Sequence, residues 1–141
     1  MSLKQSLAIT LATAGLAIAG AAQALTLTIV VSEARSPQGT INAALYNGES
    51  TWLKAGEATQ VTKVPTTDGK TLLVFTNLAP GRYAVSMFHD ENGNGQLDKN
   101  VLGMPTERYG FTGTGGSFGP PSFADASIDL QADTTLSVAL R

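Results

Sequence analysis

The chain of 141 residues contains no cysteine. Disulfide staples, thiol catalysis and a lipid-modified N-terminal cysteine are therefore excluded. It has one histidine and one tryptophan. A lone imidazole without thiolates leaves too few nitrogen or sulfur ligands for a zinc centre. Charge is sparse as well: charged residues make up 14% of the chain and the formal net charge is −2. No basic cluster interrupts that balance, so the chain offers nothing to hold nucleic acid or an anionic membrane surface. Helix signals are few.

What is present begins with an export signal. Lys4 gives a short positive region, Leu7 to Ala19 is an uncharged apolar run, and Ala22-Gln23-Ala24 supplies small residues for cleavage. The apolar run is too short for a comfortable membrane span, and polar sequence follows at once. The sequence predicts a signal peptide over 1–24 and a mature protein, periplasmic or secreted, from Leu25 to Arg141. Removing 24 residues from 141 leaves 117, enough for one domain with a real core. Without disulfides, that domain must draw on packing, hydrogen bonds or a bound metal.

The mature chain reads as strands. Leu25, Leu27, Ile29 and Val31 alternate with Thr26, Thr28, Val30 and Ser32. Ile41, Ala43 and Leu45 repeat the pattern, and Tyr83, Val85 and Met87 form one face of another strand. Weaker segments lie at Ala58–Val64 and Thr71–Thr76, and two more place Ala126, Ile128 and Leu130, then Leu136, Val138 and Leu140, inward. About seven period-two segments between turn signals predict an all-β, antiparallel sandwich. One helical turn is expected over Ser50–Gly56, with Trp52 packing it onto the sandwich. Pro80-Gly81 reads as a type II corner with positive φ at Gly81. Gly103 to Phe123 is rich in Gly, Pro and Ser but holds Tyr109, Phe111, Phe118 and Phe123. It is expected to be an ordered loop whose aromatics staple it to the core.

One stretch carries site chemistry: Asp90-Glu91-Asn92-Gly93-Asn94-Gly95-Gln96-Leu97-Asp98. Side-chain oxygens fall at positions one, three, five and nine, with glycine at six, as in a loop that wraps Ca²⁺. Alternate residues point inward, and Gly95 allows the turn that brings in the Gln96 carbonyl. The candidate ligands are Asp90, Asn92, Asn94, Gln96 and Asp98, with Glu107 to close the shell. The loop departs from an EF-hand in following a strand and in having Val101 where the bidentate glutamate belongs. Two neutral asparagines place the affinity at roughly 10⁻⁴ to 10⁻³ M. Without an ion, the same residues make an Asx-rich turn. His89 lacks a recognisable catalytic partner and reads as a structural strand-end histidine. Gly113-Thr114-Gly115-Gly116-Ser117 has neither the ending nor the following helix of a phosphate loop.

From Phe75 to Val85 the chain is similar to the strand-corner-strand signature of transthyretin-like, or carboxypeptidase regulatory-like, sandwiches. His89 to Asp98, Gly103-Met104-Pro105-Thr106-Glu107 and Tyr109-Gly110-Phe111 resemble an exported bacterial family, domain of unknown function 2141. The resemblance implies an exported β-sandwich, mostly from Gram-negative bacteria, without an assigned activity. The loop also resembles those of calcium-stabilised B-type adhesin repeats.

These readings point to a non-enzymatic binding or structural module pinned by structural Ca²⁺. An envelope protein or polysaccharide is its expected kind of partner. Two alternatives stand beside it: an envelope hydrolase using His89, Asp90 and Glu107, and a metal-free accessory domain docking through an edge strand or the aromatic loop.

Overall fold

The computed structural model describes residues 20–141. Most of the expected signal peptide lies outside them. Eight strands form two packed sheets. In the first, β1 (Leu25–Ser32) lies between β4 (Thr71–Leu78) and β8 (Thr134–Ala139). β1 runs antiparallel to β4, with Leu27 opposite Phe75 and Ile29 opposite Leu73. It runs parallel to β8, with Ile29 opposite Leu136. In the second, β2 (Thr40–Tyr46) lies between β3 (Gln60–Pro65) and the long β5 (Gly81–Asp90). The far edge of β5 is shared. β7 (Ile128–Leu130) pairs its first three residues and β6 (Tyr109–Phe111) pairs Ser86 to Phe88.

Period two explains the layers. Leu25, Leu27, Ile29 and Val31 point inward from β1 and meet Ile41, Leu45, Val85 and Met87 from the other sheet. Each such side chain contributes roughly 1.5–3 kcal/mol by leaving water. The C-terminus ties the sheets together. Leu140 N–H donates to the Ser32 carbonyl, and Arg141 exchanges two backbone bonds with Tyr109. The chain thus leaves one sheet and closes onto the edge of the other.

The gap between β6 and β7 is bridged by one buried hydroxyl. Thr112 Oγ1 accepts from Val85 N–H at 2.9 Å and donates to the Ala126 carbonyl at 2.7 Å. Thr112→Val keeps the shape and strands both groups. The expected loss is about 1–3 kcal/mol, read as a lower urea midpoint at unchanged slope.

Three local expectations need correction. Ser50–Gly56 is a series of tight turns rather than a helical turn, because Leu53 sits at φ 58° and interrupts it. Among the described residues the one α-helical turn is α1 (Phe123–Ala126), where Ser122 caps the Asp125 N–H, and it takes Ala126 out of the expected strand. Gly81 already belongs to β5 and has no positive φ; the left-handed residue of that corner is Asn77, at φ 57°. The extra strand, β6, arises inside the segment read as irregular.

Candidate metal-binding loop

β5 delivers two neighbouring side chains to opposite faces of its sheet. His89 points inward with Met87 and Val85, opposite Ile41, and is fully buried. Its Nε2 lies 2.6 Å from the Gln38 carbonyl, which places the ring hydrogen on that nitrogen. Nδ1 lies 3.5 Å from Glu91 Oε1, and neither atom has a hydrogen-bond partner. Arg35 approaches the same Glu91 oxygen at 3.6 Å.

Asp90 points outward, opposite Thr40, yet it is also fully buried because the following loop folds over it. Its carboxylate organises that loop. Oδ1 accepts from Gly93 N–H at 2.9 Å and Oδ2 from Gly95 N–H at 2.8 Å. Gly95 takes φ 77°, the left-handed turn expected at this position. A third donor comes from β2, where Asn42 Nδ2 lies 3.2 Å from Oδ2. Thr40 Oγ1 donates in turn to Asn42 Oδ1 at 2.8 Å, fixing that amide.

Asn92, Asn94 and Asp98 converge above it. The Asp98 oxygens accept from Asn92 Nδ2 at 2.6 Å and Asn94 Nδ2 at 2.7 Å. The amide oxygens accept from the backbone two residues on: Asn92 Oδ1 from Asn94 N–H, and Asn94 Oδ1 from Gln96 N–H. Glu107 ties the two ends of the loop. Its Oε1 accepts from Glu91 N–H at 3.1 Å and its Oε2 from Asp98 N–H at 3.0 Å. Glu107→Ala frees both donors. The expected cost is about 1–3 kcal/mol, with faster hydrogen exchange at the Glu91 and Asp98 amides.

Charge is what stands out. Asp90, Asp98 and Glu107 all bond to N–H groups of this one loop, and among the described residues none of them forms an ion pair. Neutral N–H groups solvate them instead. Among the described residues no group of three or more His, Cys, Asp or Glu side chains is arranged to hold a metal. An ion at this loop therefore depends on the Asn92 and Asn94 amide oxygens and the Gln96 carbonyl as well as on Asp90 and Asp98.

Sequence reasoning missed Asn42, Gly39 and Gln38. A polar residue at mid-strand was the signal for Asn42, since asparagine is depleted in strands. The other two act through contacts that no local pattern records.

The aromatic residues form a second cluster. Trp52 meets Tyr46 edge-on at 5.2 Å and Phe111 and Phe123 at 6.1 Å, and its Nε1 donates to the Pro121 carbonyl at 2.9 Å. Burial raises the Tyr46 hydroxyl above its ordinary pKa, against the opposing effect of its bond with Ser86. Tyr109 packs on Phe111 at 5.9 Å. Trp52 thus staples its turn to the sandwich, together with Phe111 and Phe123. Phe118 does not join them and is fully exposed.

The family model described as "Uncharacterized protein conserved in bacteria (DUF2141)" matches residues 29–137. The chain belongs to that family. The matched part of this DUF2141 chain holds the whole acidic loop, Glu107 and Asn42. No curated protein and no solved structure matches the chain significantly.

Proposed function

We propose that this chain is an exported binding or structural module in which the Asp90–Asp98 loop takes up Ca²⁺ and is stiffened by it. One observation carries the reading. The Asp90 carboxylate is fully buried and, among the described residues, has no basic partner, while Asp98 and Glu107 hydrogen-bond within the same loop. Taking a carboxylate out of water costs several kcal/mol; three N–H donors, at about 1.5–3 kcal/mol each to a charged group, offset much of that but leave its charge unpaired. A hard cation coordinated by Asp90, Asp98, Asn92, Asn94 and the Gln96 carbonyl offsets the rest. In this reading Glu107 holds the two ends of the loop and contacts the ion only if its oxygens leave their amides.

The module carries out no catalysis. Strand alternation sends His89 and Asp90 to opposite faces, so they do not act on one substrate. Export is part of the proposal and rests on Lys4, the run Leu7–Ala19 and the Ala22-Gln23-Ala24 cleavage site.

Calcium titration of the mature chain, followed residue by residue by NMR, tests the reading. The expected result is saturable shifts at residues 90–98 and at Asn42, with a midpoint of roughly 10⁻⁴ to 10⁻³ M. Shifts that are absent, or scattered over surface carboxylates without saturation, contradict it.

A further inference from the structure

Beside the acidic loop lies a pocket of about 450 Å³, walled by the segments around Leu97–Pro105 and Ser117–Pro120 and floored by β6. Leu97, Met104, Tyr109, Phe111, Phe118 and Pro120 make its lining largely apolar. The volume and lining are those of a small-molecule site, where an apolar body is buried and a few polar groups orient it. Two of the wall side chains are unusually open to water: Met104 is 61% exposed and Phe118 106%. A ligand that covers them takes apolar area out of water, about 150–250 Å² for a fully buried aromatic ring. Methionine suits such a wall because its unbranched chain adapts to what it covers.

Lys99 is the single charged residue in the lining. Among the described residues its ammonium forms no ion pair. A lone cation on an apolar pocket selects an apolar molecule with one anionic group. We propose that this pocket binds such an anion, with its acyl or aromatic body between Met104, Phe118 and the Tyr109–Phe111 floor and its carboxylate at Lys99. The shallower groove on the outer face of the second sheet, around Ala44, Ser86 and Phe88, is a weaker candidate. Asn42 there is committed to Asp90.

The pocket does not rest on the cation reading. Its first wall is held by the pairing of Lys99 with Pro105 and by Asn100, whose N–H donates to the Met104 carbonyl. Its far wall is anchored through the Trp52 bond to Pro121.

That bond also supplies a reporter. Trp52 is the only tryptophan, and it touches Phe111 in the pocket floor. The experiment is a tryptophan-fluorescence titration of the mature chain, in chelator, with decanoate, neutral decanol and naphthoate, each below its aggregation concentration. The expected result is saturable binding of an anion, with decanol at least about tenfold weaker, a difference of about 1.4 kcal/mol. Lys99→Gln should abolish that discrimination. Met104→Gln and Phe118→Ser should weaken anion binding about tenfold without changing the melting temperature, since both side chains are exposed. The tighter of decanoate and naphthoate identifies the body as acyl or aromatic. No saturable response to either anion, or unchanged affinity in all three variants, overturns the proposal.

Discussion

Gly39→Ala is expected to destabilise the protein by about 2–5 kcal/mol, the left-handed backbone cost and the overpacking cost taken together. Gly39 holds φ 73°. A Cβ there would lie 2.1 Å from the Asp90 carbonyl oxygen and 2.9 Å from Glu91 Cα. Both obstacles are backbone, so no side-chain rotation relieves them. The residue cannot shift the other way, because its own carbonyl accepts from Thr66 N–H at 3.1 Å. Any relief must displace Asp90, and with it the loop that Asp90 organises. Gly93→Ala is the control. Gly93 also holds φ 73° but has nothing within 4 Å of an added Cβ. Only the backbone term remains, about 1–2 kcal/mol. Urea unfolding of the two variants measures the difference. Equal losses would mean that the contact between Gly39 and Asp90 does not constrain the fold.

Calcium is expected to raise the melting temperature of the wild-type chain, and Asp98→Asn is expected to abolish the rise. With a dissociation constant of roughly 10⁻⁴ to 10⁻³ M, about 10 mM ion stabilises by about 1.4–2.7 kcal/mol, or on the order of 5–10 °C for a domain of this size. Asp98 is the informative position because its partners in the loop are the two amides of Asn92 and Asn94. An asparagine at 98 keeps one of the two bonds and turns its NH2 toward the other amide; both bonds are exposed, so water replaces the lost one and stability in chelator should fall by only about 0.5–1.5 kcal/mol. Asp90 is less clean. Its two oxygens accept from three N–H groups, and an asparagine there would turn a donor toward a donor. A variant that loses the calcium increment while keeping most of its metal-free stability separates coordination from turn-making.

How far the sequence foretold this depends on whether an element was set by local pattern or by distant contact. β1, β2 and β5 were legible because their apolar residues alternate and bury on one side. β6 was not, because it has three residues and a central glycine. Gly110 is needed there, since a Cβ would meet Val138 Cγ1 at 2.9 Å, but that contact spans the sandwich and leaves no local trace. α1 was readable in principle: Ser122 and Asp125 are a capping pair, with Ser122 Oγ donating to Asp125 Oδ2 at 2.9 Å. The expected helical turn at Ser50 gave way to tight turns because Leu53 takes φ 58°, which a weak local preference does not prevent.

The acidic loop divides the same way. The spacing from Asp90 to Asp98 foretold the left-handed turn at Gly95 and the Asx turns of Asn92 and Asn94. It did not foretell that Asp90 would be buried beneath its own loop with a donor from β2, because the Asn42 bond spans 48 residues and leaves no local trace. Glu107 was read as a sixth oxygen for an ion; in the structure both its oxygens accept from loop amides, those of Glu91 and Asp98. Its hydrogen bonds to both loop ends come from a return of the chain sixteen residues after Glu91.

Equilibrium dialysis of the mature, chelator-stripped chain against calcium tests the account most directly. The account predicts one ion per chain with a dissociation constant of roughly 10⁻⁴ to 10⁻³ M, lost in Asp98→Asn. No uptake at about 10 mM, ten times the weak end of that range, or uptake that Asp98→Asn leaves unchanged, would contradict it.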